Sequence, residues 1–196
     1  MLKPNNYENV QSGEYVPPML GGHHMIIMNV SEQKNRNGGD MLVVHFDFAA
    51  NDAQPGYFKK QYDADIRPDK KWPYNGTSYI NCLDSNNQCS VSFKKFITSF
   101  EESNGCQVNW TEGKAFTDQF RGKKIGGVYG RVEDDYNGER KMKTQLRWFC
   151  SDARADGAKV PSDKMLKDNS AVSTAMPNIP NPVDTVVSDV SLPWNN

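Results

Sequence analysis

Positive and aromatic side chains alternate along residues 140–150 in a pattern that suits contact with a nucleic acid. Alternate residues of a β-strand point to opposite faces, so one face is mostly apolar and the other carries three cations and an aromatic ring. Cations can contact the phosphates of a single strand, and aromatic rings can stack on its bases without reading sequence. We therefore predict a binding face formed by Lys141, Lys143, Arg147 and Phe149, opposite an apolar face formed by Met142, Leu146, Trp148 and Cys150.

Three other segments add residues of the same kinds. Residues 57–66 and 123–132 are predicted strands whose positive side chains would extend the phosphate-contacting surface. The intervening loop, residues 69–88, is polar and rich in Asn, so its aromatic rings are predicted to stack on bases rather than to pack in the core. These segments add Lys59, Lys60, Tyr62, Trp72, Tyr74, Lys123, Lys124, Tyr129 and Arg131 to the predicted interface.

Five segments that would position these side chains are predicted to be strands. The first two form a hairpin, because residues 35–39 supply Asn and Gly for a tight turn. The third rests on the even spacing of Phe58, Tyr62 and Ile66. In chain order the five segments are residues 24–30, 41–48, 57–66, 123–132 and 140–150.

A single amphipathic helix is predicted between the third and fourth strands. Four apolar residues from Phe93 to Phe100 recur at helical spacing, and Asn104-Gly105 provides a stop signal. Three strands, one helix and two strands is the order of the OB-fold, a five-stranded Greek-key barrel. The sequence therefore predicts a mainly β, OB-fold domain over residues 1–167.

Glycine is unusually dense in the predicted fourth strand, at residues 122, 126, 127 and 130. Glycine weakens the interior of a strand, so its presence there needs a structural reason. It predicts a bulge, a sharp bend of the barrel, or a place where another backbone comes close.

Residues 168–196 have the composition of a flexible acidic tail. They contain no Lys, Arg or Gly, four prolines interrupt any regular period, and their scattered apolar residues cannot form a core. A Trp near the end of such a tether predicts docking into the pocket of a protein partner, with folding back onto the domain as the alternative. The predicted partner-binding residues are Asp189, Leu192, Pro193 and Trp194.

Length and charge fit one folded domain with a mildly basic surface. The 196-residue chain has 23 basic and 24 acidic residues, and because three of the acids lie in the tail, the body carries a net charge of +2. Binding would then depend on where the cations lie rather than on overall charge. The absence of a signal peptide, of a membrane-spanning run and of zinc-like cysteine spacing predicts a cytoplasmic protein with reduced thiols and no metal or other cofactor.

Two functions from other classes fit parts of the sequence. Histidine and carboxylates near one strand face could hold Mg²⁺ or Mn²⁺ in a nuclease. Aromatic residues in the polar loop could stack on sugar rings in a carbohydrate-binding or structural β-barrel, although the cationic strands do not favour that function. The nuclease would use His45 and Asp47 with Asp40 and Asp52 nearby, and the sugar site would use Trp72, Tyr74 and Tyr79.

A series of short motifs occurs in a fixed order between Tyr7 and Lys167. The motifs are Gly13-Glu14-Tyr15-Val16, His45-Phe46-Asp47-Phe48-Ala49, Gly56-Tyr57-Phe58, Lys71-Trp72-Pro73, Phe93-Lys94-Lys95-Phe96-Ile97, Glu101-Glu102-Ser103-Asn104, Gly122-Lys123-Lys124-Ile125-Gly126-Gly127-Val128 and Val160-Pro161. This set resembles proteins encoded by bacteriophages, prophages and integrative elements of Gram-positive bacteria, which are described as single-stranded-DNA-binding proteins. The resemblance implies an OB-fold that coats single-stranded DNA, in a bacterial host cell, during phage or element replication and recombination, and such proteins commonly form homo-oligomers.

The end of the chain carries a second resemblance. Asp189, Leu192, Pro193 and Trp194 are similar to the acidic and apolar tail tip with which bacterial single-stranded-DNA-binding proteins dock onto replication and repair enzymes. Only one acid precedes the apolar residues here, and Asn195-Asn196 separate the aromatic residue from the terminal carboxylate. The resemblance therefore implies a replication or recombination protein as partner, with a contact that differs in detail.

Overall fold

The computed structural model describes residues 2–3 and 15–166 of the chain. The chain divides into two units, Met1–Leu166 and Lys167–Asn196. The predicted docking residues Asp189, Leu192, Pro193 and Trp194 lie outside the described residues.

One antiparallel sheet of five strands forms the framework of the first unit. The strands follow each other across the sheet in the order β3-β2-β1-β4-β5, so β3 and β5 are its two edges. The mainly β architecture with five strands agrees with the sequence prediction. The strands are β1 (Gly21–Lys34), β2 (Asp40–Phe48), β3 (Thr77–Asn81), β4 (Lys124–Tyr136) and β5 (Glu139–Cys150).

The predicted hairpin of β1 and β2 is confirmed, and its turn is fixed by one side chain. The amide oxygen of Asn35 accepts hydrogen bonds from the backbone N–H groups of Asn37 and Gly39, both at 2.9 Å. Gly38 adopts a positive φ of 80°, which glycine tolerates at no steric cost. The local turn residues therefore set the register of the two longest apolar runs in the chain.

The predicted third strand is wrong, because residues 57–64 form helix α1 (Tyr57–Ala64). A spacing of four between Phe58 and Tyr62 fits one face of a helix as well as alternate positions of a strand. Tertiary contacts select the helix. The buried carboxylate of Asp47 accepts the backbone N–H of Phe58 at 2.8 Å, in the first turn of the helix, and Phe58 itself is buried in the core. Residues predicted to be loop supply the true third strand.

The predicted helix with the phenylalanine stripe is confirmed as α2 (Val91–Asn104). The hydroxyl of Ser90 caps it by accepting the N–H of Phe93 at 3.1 Å, and Gly105 ends it with a φ of 60°. The described residues contain three α-helices rather than the predicted one, since α3 (Lys114–Asp118) accompanies α1 and α2. Short 3-10 turns occur at Tyr74–Gly76 and Asp152–Arg154.

Aromatic packing between the sheet and α2 forms the centre of the core. Phe149 of β5 lies edge-on to Phe46 of β2, with ring centroids 5.9 Å apart, and to Phe96 of α2, at 5.2 Å. Phe100 packs on Phe120 at 4.7 Å. These contacts hold α2 against the inner face of the sheet, where burial of the rings supplies the main stabilising free energy.

Residues 151–166, named here the C-terminal segment, pack across β1 and β4 at glycines. A Cβ built on Gly22 would lie 1.9 Å from the carbonyl oxygen of Ala155, and one built on Gly126 would lie 2.7 Å from that of Ser151. Further along, Lys164 forms a parallel bridge to Val132 of β4. The glycine-rich fourth strand therefore accommodates a second backbone, one of the reasons predicted from its composition.

Candidate nucleic-acid interface

The two edge strands of the sheet line the same cavities and do not pair with each other. Cavities of about 530 and 230 Å³ lie between them, lined by Tyr79 and its neighbours on β3 and by residues 145–149 of β5. This space is named the central groove. Tyr79 is one of its exposed aromatic rings, and the centroid of this ring lies 6.3 Å from that of Tyr74 at a tilt of 34°.

The central groove continues into a larger space beside the β4–β5 hairpin. This hairpin cleft, about 1340 Å³, is lined by residues 131–134 and 142–145 of the hairpin and by residues 15–20 opposite. Tyr74, Asn75 and Gln145 line both the cleft and the groove. Together they make a continuous open path along the outer edge of β5.

Besides the buried Phe149, the structure brings four of the residues predicted from sequence to this path. Tyr74, 70% exposed, marks the junction of cleft and groove, and Arg131 and Lys143 line the cleft. Arg147 lines the groove. One exposed ring and three cations along an open channel provide the groups that stacking on bases and contact with phosphates require.

The three cations along the path differ in their ion pairs and hydrogen bonds. Arg131 is exposed and forms no ion pair with the residues that the structure describes. Lys143 pairs with Asp134 across the hairpin, and that hydrogen bond raises the pKa of the lysine above its usual value. Arg147 donates from Nη1 to the carbonyl oxygens of Arg131 (3.2 Å) and Ser162 (3.0 Å), which holds its guanidinium in place.

Two predicted interface residues are buried instead, and the prediction is wrong for both. Tyr129 is fully buried, and its hydroxyl donates to the carbonyl oxygen of Asn75 at 3.4 Å. Phe149 is 7% exposed and belongs to the core. The cause for Phe149 is a β-bulge: Val128 pairs with Trp148 but Tyr129 pairs with Leu146, so one residue of β5, Arg147, has no partner.

The bulge also reverses the predicted orientation of Trp148. The alternation of apolar and positive residues placed this side chain on the buried face, but it is 38% exposed and lines the central groove. A shift of one residue moves every following side chain to the other face of the sheet. The alternation pattern therefore predicts Trp148 as buried and Phe149 as exposed, whereas the structure shows the reverse. Only the register of β4 and β5 indicates the true faces.

Trp72 and Tyr62 have structural contacts that the sequence prediction did not include. The indole N–H of Trp72 lies 3.2 Å from the carbonyl oxygen of Phe46 and 3.0 Å from that of Gly76, and the ring packs partly on the core. The ring centroids of Tyr62 on α1 and Trp72 lie 5.5 Å apart, and the ammonium of Lys70 lies 4.4 Å from the centroid of the Tyr62 ring. The rings thus support the loop that carries Tyr74.

The remaining predicted cations lie away from the groove and the cleft. Lys59 and Lys60 are exposed on α1, where Lys59 pairs with Asp63, and Lys123 and Lys124 lie where β4 begins. Lys141 pairs with Glu139 at 2.8 Å near the hairpin turn. Lys95 of α2, which was not predicted, does line the central groove. Helical spacing marked the polar face of α2, but no sequence signal placed it beside β5.

The residues of the possible nuclease site take separate structural roles. His45 contacts the hydroxyl of Thr77 at 2.9 Å, and burial lowers its pKa. Burial raises the pKa of Asp47, which hydrogen-bonds the start of α1. Among the described residues, no group of three or more His, Cys, Asp and Glu side chains is arranged to hold a metal ion. The other two members are engaged elsewhere, Asp40 with Lys34 and Asp52 with His23.

His23 and Asp52 form a buried pair beside the sheet. Nδ1 of the histidine lies 3.0 Å from the carboxylate and Nε2 lies 3.0 Å from the carbonyl oxygen of Met19, while the ring stacks on Phe48 at 4.1 Å. Burial opposes ionisation of Asp52, but hydrogen bonds from His23 and from backbone N–H groups outweigh it and lower the pKa. The pair therefore anchors residues 19–23 and has no access to the groove.

Comparison with known proteins gives no family for this chain: no family model matches it, and no curated protein shows significant similarity. The four cysteines are free thiols, and burial raises the pKa of Cys150 to about 11. Within the described residues, no helix has the length and apolar character needed to cross a membrane.

Proposed function

We propose that this protein binds single-stranded DNA without sequence preference, as a non-enzymatic protein, along the path formed by the hairpin cleft and the central groove. The observation that carries the proposal is the combination of Tyr74, Tyr79 and three cations in one open channel. Bases of a single strand are free to stack on tyrosine rings while its phosphates lie near Arg131, Lys143 and Arg147. In a duplex the bases are already stacked on each other, so a duplex would offer only its phosphates.

The strand order supports an OB-fold as the finer description of the architecture. An OB-fold is a partly open five-stranded Greek-key barrel that binds oligonucleotides on its surface. The order β3-β2-β1-β4-β5, with α2 between β3 and β4, becomes a barrel if the edges β3 and β5 face each other. Both edge strands line the central groove, so in such a barrel the groove would be the gap between β3 and β5.

The biological setting follows from the resemblances rather than from the groove. The proposed role is the protection of single-stranded DNA in the bacterial cytoplasm during phage or mobile-element replication and recombination. Under the same proposal the chain tip from Asp189 to Trp194 recruits a replication or recombination protein, because a lone aromatic anchor suits a partner's pocket.

Fluorescence anisotropy with labelled oligonucleotides tests the proposal. Single-stranded DNA, single-stranded RNA and duplex DNA of equal length and several sequences are titrated at several salt concentrations, with Mg²⁺ present and cleavage monitored. The proposal expects tighter binding to single-stranded DNA than to duplex, little dependence on sequence and steep weakening by salt. Equal affinity for duplex would contradict it, and cleavage of the strand would favour a nuclease. Binding of oligosaccharides instead of DNA would favour the sugar site.

A further inference from the structure

A fourth cavity opens beyond the end of the central groove. It measures about 820 Å³ and lies between α2 and the C-terminal segment, with residues 157–161 forming one wall. Lys95, Trp148 and Phe149 line both this cavity and the central groove. The cavity, named the α2 pocket, is therefore continuous with the proposed DNA path and lies at the end opposite the hairpin cleft.

The α2 pocket combines an exposed ring with unpaired positive charge. Lys94, Lys95 and Lys159 are exposed, and none forms an ion pair within the described part of the chain. The cavity's other cation, Arg154, lies 3.6 Å from Glu102, which offsets its charge. Three free ammonium groups around the 38% exposed indole of Trp148 match the phosphate and the base of a nucleotide.

A strand bulge and side-chain hydrogen bonds fix the position of Trp148 and of the C-terminal segment. The bulge at Arg147 turns Trp148 outward, and the Arg147 guanidinium is tied to the carbonyl oxygen of Ser162 in the C-terminal segment. At the start of that segment, Nδ1 of His24 lies 2.7 Å from the carboxylate of Asp152, which joins the segment to β1. A ring and a wall fixed in this way need little ordering when a ligand binds, and that favours affinity.

We propose that the α2 pocket is an additional nucleotide-binding subsite, in which a strand leaving the central groove stacks a base on Trp148 and places phosphates near Lys94, Lys95 and Lys159. This inference rests on the proposed single-stranded-DNA binding and extends it, because it makes α2 and the C-terminal segment part of the path. The protein then contacts more nucleotides than the groove and the cleft alone can hold.

A ladder of labelled oligothymidylates tests the subsite in the full-length protein. Affinity is measured against length for the wild type, Trp148→Leu and the double variant Lys94→Gln/Lys159→Gln. Two controls match them in type. Trp110→Leu removes an indole that is 64% exposed and lines none of these cavities, and Lys60→Gln/Lys123→Gln removes two cations that line none of them. Thermal melting verifies that each variant is folded.

The proposal expects a difference that depends on length. Short strands should bind the wild type, Lys94→Gln/Lys159→Gln and the controls with the same affinity. Trp148→Leu should lose less affinity for short strands than for long ones, because its ring lines both the central groove and the α2 pocket. At lengths where wild-type affinity has reached its plateau, the two α2-pocket variants should bind about tenfold more weakly and reach their own plateau at a shorter length. The controls should follow the wild type at every length.

Three results would overturn the subsite. The same length profile for the wild type and Trp148→Leu would show that no base stacks there, and an equal loss of affinity at all lengths would confine the contact of Trp148 with DNA to the central groove. Thymidine monophosphate is titrated in parallel, and tight binding of the free nucleotide would assign the pocket to a small molecule. Failure of the wild type to bind any strand would refute the proposed single-stranded-DNA binding as well. Binding by the wild type with one of the three results above would refute the subsite alone.

Discussion

Replacing Gly22 with Ala should destabilise the first unit, because the C-terminal segment crosses β1 at this position. The added Cβ would lie 1.9 Å from the carbonyl oxygen of Ala155 and 2.7 Å from its carbonyl carbon, so the two backbones must separate. Overpacking of this kind costs about 1–3 kcal/mol of unfolding free energy, and occasionally more. In a unit of this size that loss lowers the melting temperature by about 2–12 °C.

Gly157→Ala is the matched control for this prediction. A Cβ at Gly157 meets no atom within 4 Å, and the residue is part of the same C-terminal segment. Differential scanning calorimetry of the wild type and both variants should show a lowered midpoint for Gly22→Ala alone. If Gly22→Ala melts with the wild type, the segment does not cross β1 as described, and the wall of the α2 pocket would have to be reassigned.

Three further predictions concern the interface and the contacts behind it. The triple variant Arg131→Gln/Lys143→Gln/Arg147→Gln should bind single strands more weakly and reduce the slope of log affinity against log salt by up to about 2, measured by anisotropy, because a single-strand phosphate contact contributes about 0.7 to that slope; an unchanged slope would contradict the cation assignment. Tyr74→Ala should weaken binding by about 1–3 kcal/mol with little change in melting temperature, since the ring is 70% exposed, and a large loss of stability would show a structural role instead. Hydrogen bonds to Asp152 and Asp156 raise the pKa of His24 above 6.5 against the opposing effect of burial, so the extra stability of the wild type over His24→Gln should be fully present below pH 6.5 and decline as the pH rises through the raised pKa; urea titrations across pH measure it, and a difference that grows with pH would contradict the ion pair.

The elements that sequence predicted correctly are those with strong local signals. The β1–β2 hairpin carries a turn whose Asn35 side chain closes it, and α2 has both an apolar stripe and the glycine stop at Gly105. Helix α1 was predicted as a strand because a spacing of four residues suits both periods. The helix is selected by a contact from β2, where the carboxylate of Asp47 accepts the backbone N–H of Phe58 in the first turn of α1.

The candidate site was predictable in its residue types but not in its geometry. Charge alone identifies Arg131, Lys143 and Arg147, because the prediction of a cation on a strand does not require knowledge of the neighbouring strand. The sequence pattern assigns Trp148 and Phe149 to the wrong faces of β5. Their true faces depend on a bulge in the pairing of β4 with β5, which no local pattern indicates. The same applies to the α2 pocket, whose lysines come near β5 only through the packing of the whole unit.

Photocrosslinking of a bromodeoxyuridine-substituted single strand, followed by mass spectrometry of the attached peptides, tests most directly where DNA lies on the protein. We predict adducts on Tyr74, Tyr79 and Trp148, three exposed rings spread along the path from the hairpin cleft to the α2 pocket. Trp110 is more exposed than Trp148 and lies outside the path, so it serves as an internal reference. Adducts mainly on Trp110, or none on the three rings of the path, would contradict the claim that single-stranded DNA binds in this groove.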